Sequence, residues 1–395
     1  MLALEPTTTA AEAVARLLDR LLPTLPAGAK VLVKPDWCAR HDPRPAENTS
    51  PAFLEAVLTW LVAKGARPAL GHTALLTPPD VPYLSFTELL KVAGCNELLE
   101  SFPHVRLIDL ETEPMALRRS GEDTLLLPTT LGEFDLVIVL GTLKTHMGTL
   151  FAGGAKSLMG LIPDSEHLRY HRDGLHRLLA ALADAAWPTL TLIEGSVGME
   201  GEGPHHGDPV PHGLALGGDD LLEVDCAAAG LMGISPDEVP HLKLLAARRG
   251  RALPGLPPEW APLVRRYRRP SAHIQHGRRV RVYPGDSCAT CQVAASSVER
   301  FARENPHRVA DVAAVVSMLM LKGLNVWMGH QPEDRPPPAG ELSLAVGDCA
   351  RSWAEAHGVP LVGGCPLRVH EVQPTLVELM RRLNAGELPP PQGGR

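Results

Sequence analysis

The chain has 395 residues, 45% hydrophobic and 21% charged, too long for one small core, so at least two domains are expected. Its 38 basic and 45 acidic residues leave a net charge of −7, which gives no support for a nucleic-acid binder. No apolar run reaches the roughly 18 residues of a membrane span. The opening MLALEPTTTAAEAV lacks the n-region and h-region of a secretion signal, so a cytoplasmic protein without a membrane partner is expected. Seven cysteines in such a chain point to thiols or metal ligands, not to a disulfide framework.

Helical apolar spacing runs over 8–24, through Val14, Leu17, Leu18 and Leu21. Lys30-Val-Leu-Val-Lys34 reads as a buried strand ending in Pro35-Asp36-Trp37-Cys38. Asn48-Thr-Ser-Pro51 is a helix-start signal, and the helix runs to about Lys64, where Gly65 ends it. Pro68 to His72 is the next strand, Leu84–Val92 a helix, and Val105–Leu110 and Asp123–Leu127 short strands. Leu136 to Leu140 has the β-branched composition of a buried strand. That run stops at Gly141, which puts Lys144, Thr145 and His146 in a loop at the strand's carboxyl end. A small-residue turn, Phe151 to Ala155, then leads to Lys156 at the head of a helix, whose free N–H groups would favour an anion.

A helix at 174–186 precedes the strand Leu190–Glu194, with Glu194 at its carboxyl end. Gly195 to Gly207 is too glycine-rich for regular structure and reads as a loop. Leu214–Leu216 is a short strand, and Asp219, Asp220 and Asp225 open a helix through Leu231. This alternation predicts an α/β fold: a mostly parallel sheet with helices on both faces, over residues 1–250. Residues 251–278 are rich in Pro and Arg and read as a solvated linker or a clamp on the acidic first domain. A smaller α/β domain follows over 279–388, and 389–395 read as a disordered tail.

In the second domain, Cys288-Ala-Thr-Cys291, Gly347-Asp-Cys349-Ala and Gly363-Gly-Cys365-Pro each follow a predicted strand, at 280–283, 342–346 and 359–362. Strand ends of a parallel sheet converge at one edge, so the four thiols can meet although far apart in sequence. Four thiolates suit a tetrahedral zinc or an iron–sulfur cluster. Cys38, Cys95 and Cys226 lack such spacing and read as incidental thiols, with Cys38 left open because it sits at a strand end.

These motifs resemble the cluster-binding motifs of nickel–iron hydrogenase small subunits and the related complex I subunit. That resemblance implies a [4Fe-4S] cluster on Cys288, Cys291, Cys349 and Cys365. Leu367 departs from it, standing where a second proline is usual. The first domain resembles the DUF362 family over about 30–245. The matching residues are Val33-Lys34-Pro35-Asp36, Lys144-Thr-His146-Met147, Gly154-Ala-Lys156-Ser-Leu-Met-Gly160, Gly198-Met-Glu-Gly-Glu-Gly-Pro204, and Asp219 with Val224-Asp225. Asp36 and Ser157 stand where that family often has Asn, and Glu194 where Asp is common. The resemblance implies an architecture and a site location, with an association to iron–sulfur clusters, and no settled reaction.

The motifs of the first domain fall at the ends of separate strands, as an α/β active site requires. His146, Lys144 and Glu200 are the candidate catalytic residues, with His146 as proton donor or acceptor or, alternatively, as a cap on its own loop. Lys34, Lys156, Thr145 and Glu194 are the candidate substrate-binding residues, the lysines as holders of a carboxylate or phosphate. His167, His171, His205 and His206 could line the same cleft or bind metal, though their spacing matches no standard zinc motif. A cluster with four cysteine ligands has no open position, so its natural work is one-electron transfer. No dinucleotide fingerprint or P-loop is found, so electrons would come from ferredoxin or a similar partner. The expected function is therefore an iron–sulfur oxidoreductase acting on a small anionic substrate. Two alternatives stand beside it: an electron-transfer or assembly module with no substrate of its own, and a non-redox zinc–cysteine enzyme. A homodimer is compatible with the sequence.

Overall fold

A computed structural model describes the chain except for residues 40–42, 74–83, 277–278, 289, 293–294, 296–300, 302–304, 318–321 and 388–395. The expected helix at 292–304 and the tail at 389–395 fall largely or wholly outside the described residues. The chain divides into two compact units, with the second beginning its continuous run at Ser271.

The first unit opens with strand β1 (Leu2–Pro6), helix α1 (Ala10–Leu21), β2 (Lys30–Lys34), α2 (Pro51–Ala63) and β3 (Arg67–His72). Next come α3 (Phe86–Val92), α4 (Asn96–Glu100), β4 (Arg106–Asp109), β5 (Met115–Ser120) and β6 (Asp123–Pro128). Then follow β7 (Leu136–His146), β8 (Leu150–Ala152), α5 (Gly154–Ser157), α6 (Asp164–Asp173) and α7 (Leu175–Ala185). The unit closes with β9 (Leu190–Glu202), β10 (His206–Gly218), α8 (Leu221–Leu231) and α9 (Pro240–Arg248). The large sheet has the order β1-β10-β9-β7-β2-β3-β4, with β8 paired to β7. Its centre, from β9 to β4, is parallel, and β1 and β10 form an antiparallel edge.

Alternation along the strands gives each face its own core. Val31, Val33, Ile138 and Leu140 pack with the apolar stripe of α1 (Val14, Leu17, Leu18) and with α2. Leu32, Val139 and Leu143 turn the other way, onto α7 and α8. Local signals start the helices: Thr9 accepts the Glu12 N–H at 3.2 Å, and Ser50 accepts that of Phe53 ahead of Pro51. This is the expected mostly parallel α/β sheet with helices on both faces.

Two expectations fail for one reason. Strand β7 does not stop at Gly141 but continues to His146, and Gly195–Gly207 is not an irregular loop but the far end of β9, the turn and the start of β10 in a long hairpin. The glycines there serve close packing, not turning. A Cβ on Gly141 would lie 2.6 Å from Ile193 Cδ1 and 3.0 Å from the Gly153 backbone, and one on Gly198 would lie 2.1 Å from the Tyr267 hydroxyl. Residues 251–270 lie within the first unit, where the Arg265 and Tyr267 N–H groups donate to Leu231 and Met232 carbonyls. Arg251 pairs with Asp220 and Glu223, and Arg269 with Glu238, so this stretch is tied down by its arginines.

The second unit has a five-stranded sheet of β11 (Ile274–His276), β12 (Val280–Tyr283), β13 (Leu324–Met328), β14 (Ser343–Val346) and β15 (Leu361–Val362), in that order. Strands β12 to β15 are parallel and β11 is antiparallel to β12. Its core stacks Tyr283 on Trp327 at 3.7 Å between ring centroids and Trp327 on Trp353 at 4.2 Å. The Trp353 indole N–H is satisfied by the Arg335 carbonyl at 2.9 Å. A helix at 351–357 ends at Gly358 in the left-handed region, and a helix at 369–385 completes the unit.

Candidate functional site

In the first unit the polar cluster gathers at the carboxyl ends of β2 and β7. Lys34, the last residue of β2, is buried and donates to both the carbonyl and the hydroxyl of Ser157. Burial, with Lys144 and Lys156 nearby, lowers its pKa to about 7 against the pull of Asp36. Lys144, on the extension of β7, is also buried, yet it lies 2.8 Å from Asp36 Oδ2 and donates to the Glu47 carbonyl at 2.6 Å. Burial pulls its pKa down, but Asp36, Cys38 and Glu47 together hold it above the ordinary lysine value. Thr142 donates to the same Asp36 oxygen at 3.1 Å.

The segment after β2 folds back on itself to bring Cys38 and Glu47 together. Asn48 Oδ1 accepts the N–H groups of Cys38 and Ala39 at 2.9 and 3.0 Å, while the Asp36 and Thr49 backbones exchange bonds through the Thr49 hydroxyl and the Asp36 carbonyl. The Cys38 thiol donates to the Glu47 carbonyl at 3.2 Å and lies 3.6 Å from Lys144 Nζ. Burial raises the thiol to about 11, partly countered by Lys144. Glu47 is fully buried, and its Oε1 lies 2.5 Å from His205 Nδ1 in the β9–β10 hairpin. Donor atoms of Cys38, Glu47 and His205 all lie within 4.8 Å of one another, so these three residues could hold a metal ion.

His146 sits at the end of β7, and its Nδ1 accepts the Gly148 N–H at 3.0 Å, capping the turn into β8. The ring proton is therefore assigned to Nε2. Burial first, then Lys156, Lys144, His171 and His205, keep the ring well below the ordinary histidine pKa. It is a neutral imidazole with one N–H to offer. Lys156 is half-buried and makes no hydrogen bond or ion pair among the described residues. Burial lowers its pKa as well. His72 and His167 line the same neighbourhood, bonded to the Thr73 and Met159 carbonyls at 2.5 and 2.9 Å, and burial brings His167 down to about 4.

The helix start after Gly153 is not open to an anion, contrary to expectation. The Gly154 and Ala155 N–H groups both donate to the buried carboxylate of Asp225 on α8, at 2.7 and 2.8 Å. Other predicted residues are also engaged within the protein. Thr145, fully buried on the opposite side of β7 from its neighbours, donates to the Gly201 carbonyl at 2.8 Å. Glu194 accepts from the Ser50 N–H and hydroxyl at 2.9 and 2.6 Å, fastening the start of α2 to the sheet. Glu200 accepts the Arg268 N–H at 2.8 Å. Lys34, Lys144, Lys156 and His146 are thus brought together, while Glu200, Thr145 and Glu194 make contacts that hold the scaffold. Cys38, left open on the sequence for its place at the β2 end, lies in this cluster, and Glu47, to which nothing local pointed, was missed.

In the second unit the cysteines stand at the carboxyl ends of β12, β14 and β15. Cys288 and Cys291 are buried, Cys349 is half-buried and Cys365 exposed. The Cys288 thiol shares a hydrogen bond with the Thr290 hydroxyl at 2.8 Å. The Cys288 thiol, burial, and then Cys349 and Cys365 push the pKa of Cys291 well above the ordinary thiol value. Cys349 is raised to about 12 by burial and then by Cys365 and Cys288. The thiols of Cys288, Cys349 and Cys365 thus lie close enough to Cys291 to act on it electrostatically. Gly347, at φ +89°, leaves room for them, since a Cβ there would lie 2.7 Å from Cys291 Sγ. Cys95 and Cys226 are buried elsewhere in the first unit and raised to about 12 by burial.

Among curated proteins the chain is similar to a thylakoid-associated protein of Synechocystis sp., 26% identical over 226 residues. The match covers 54% of this chain and 66% of that protein's length. Among solved structures it is similar to the lactate racemase apoprotein of Thermoanaerobacterium thermosaccharolyticum, at 14% identity, with a TM-score of 0.41 over 96% of this chain and 90% of that one. Among the described residues no helix is long and apolar enough to cross a membrane. The model of a domain of unknown function, DUF362, matches residues 31–230, the segment that supplies Lys34, Cys38, Glu47, Lys144, His146, Lys156 and His205, and by that match over half its length this chain belongs to the DUF362 family.

Proposed function

We propose that this protein is an iron–sulfur oxidoreductase. In this reading Cys288, Cys291, Cys349 and Cys365 hold a [4Fe-4S] cluster, and the lysine–histidine site binds a small anionic organic substrate. One observation carries the reading: thiols from three strand ends lie near enough for Cys288, Cys349 and Cys365 to raise Cys291, and for Cys288 and Cys365 to raise Cys349, a penalty on the thiolate form that cationic iron relieves. The donor set is all sulfur and complete, and glycine at 347 leaves space beside Cys291, so the residues fit the group. When bound, such a cluster supplies one-electron transfer, with a ferredoxin-like protein as the exchanging partner.

The chain's own residues do the rest. Lys156, with no ion-pair partner among the described residues, holds the substrate anion. Lys144 is a fixed positive charge kept ionised by Asp36. His146 offers its Nε2–H to a developing negative charge as a neutral donor, and Lys34, near pKa 7, can take up or release a proton close to neutral pH.

The test is anaerobic isolation with metal and sulfide analysis and an EPR spectrum of the reduced protein. Iron and acid-labile sulfide at about four each per chain are expected. Zinc without sulfide would instead assign a non-redox zinc–cysteine enzyme. Iron with sulfide, but electron transfer unchanged by Lys156→Met and His146→Gln, would assign a carrier module without its own substrate.

A further inference from the structure

We propose that Cys38, Glu47 and His205 form a second metal site, in the first unit, for a borderline divalent ion of the zinc, cobalt(II) or iron(II) kind. It rests on residues separate from the four strand-end thiols and stands or falls independently of them. Their donor atoms already lie within 4.8 Å of one another. A tetrahedral ion with bonds of about 2.0–2.3 Å needs donors roughly 3.5 Å apart, so small side-chain shifts suffice. The 2.5 Å contact between Glu47 Oε1 and His205 Nδ1 is the one that must open, with the ion replacing the shared proton.

The donor chemistry selects the class of ion. A thiolate and an imidazole favour zinc-like metals over magnesium or calcium, which want oxygen alone. Charge balance agrees: the nearby Lys144 ammonium is matched by Asp36 at 2.8 Å, leaving the Cys38 and Glu47 charges to neutralise a divalent ion.

The ligands are also held from behind, as metal ligands need to be. Asn48 fixes the Cys38 backbone at 2.9 Å, the Arg44 N–H donates to the other Glu47 oxygen at 3.0 Å, and the His205 hairpin is tied to β7 by the Met147 N–H to Gly203 carbonyl bond at 3.0 Å. Three protein ligands leave a fourth position open, the arrangement of catalytic rather than structural sites. Lys144 and Lys156 both act on Cys38 electrostatically, so an anionic ligand in that position would sit among cations.

The test uses the full chain under reducing conditions, with iodoacetamide labelling of Cys38 followed by peptide mass spectrometry as zinc is added. Zinc should slow Cys38 labelling by more than about ten-fold in the native sequence, and His205→Ala and Glu47→Gln should each remove most of that protection. Because only the Cys38 peptide is read, zinc held by the other cysteines does not interfere. Labelling unaffected by zinc, or a His205→Ala chain protected as well as the native one, overturns the site. A second measurement covers poor folding of either variant. The full chain with Cys288, Cys291, Cys349 and Cys365 all replaced by Ser should bind one equivalent of cobalt(II) with a thiolate-to-cobalt band in the near ultraviolet. That band should vanish on adding Cys38→Ser, and its absence from the four-serine chain overturns the site.

Discussion

At the strand ends of the first unit, the buried charges are answered by the protein itself: Lys34 by Ser157, Lys144 by Asp36 and the Glu47 carbonyl, Asp225 by two backbone N–H groups. At the strand ends of the second unit, Cys291 and Cys349 are instead raised by burial and by neighbouring thiols. Both arrangements use the carboxyl edge of a parallel sheet, where separate strands deliver side chains to one place. The difference shows how such an edge can be specialised. A preorganised set of paired charges keeps its geometry without a ligand. A set of mutually repelling donors is completed only by something positive.

The contrast can be broken most severely in the second unit. Cys291→Ser removes the buried thiol that interacts with all three others, and near-complete loss of iron and sulfide is expected, with the thermal stability of the first unit unchanged. Retention of iron at the native level would show that the thiols do not act as one ligand set.

Next in size is the first unit's buried pair. Asp36→Ala strands Lys144 in the interior and should cost about 3–5 kcal/mol in urea unfolding, with iron per folded chain unaltered. A loss below about 1 kcal/mol would mean the pair is solvated and the preorganisation weak.

Acid should test the buried groups of the first unit. His167 is buried neutral with its pKa near 4, against about 6.5 when unfolded, so its contribution is complete above pH 6.5 and is lost as pH falls towards 4, by about 3 kcal/mol. Asp225, raised by burial to about 6, works in the opposite sense and gains as pH falls from 6 towards 4. Comparing native protein with His167→Gln isolates the histidine: the variant's stability profile should be flatter over this window, and parallel profiles would remove the effect.

A smaller change is expected at the α2 start. Ser50→Ala deletes the cap to Phe53 and the hydroxyl bond to Glu194 while keeping the backbone N–H bond, at about 1–2 kcal/mol by chemical denaturation. The smallest effect on stability belongs to Lys156→Met, within about 0.5 kcal/mol, because no ion pair among the described residues is lost. The same variant should weaken anion binding measured by calorimetry, and unchanged affinity would return Lys156 to an ordinary surface role.

Much of this was legible in the chain. The Lys30–Lys34 run matches β2 to the residue, Asn48-Thr-Ser-Pro51 marks the start of α2, and the strand–glycine–cysteine order recurs in the second unit as read. The errors cluster at glycines. Those at 141, 195, 198 and 201 look like turn signals in one dimension, but they lie inside long paired strands. Local pattern reports what a residue permits and not what packs against it. The long-range partners were equally hidden. Asp225 lies 71 positions from the Gly154 N–H that it accepts, and His205 lies 158 positions from Glu47.

The sequence by itself determined the α/β class, the order of the central strands and their flanking helices, and which residue types reach the strand ends, because apolar period and cap chemistry are local and additive. Only the tertiary structure decided which of those residues face one another. It gave the expected anion-binding N–H groups to Asp225, turned Thr145 and Glu194 into scaffold contacts, and set Cys38 and Glu47 beside His205. Hydrogen bonds and ion pairs join atoms by position in space, and the chain fixes that position only once both faces of the sheet are packed.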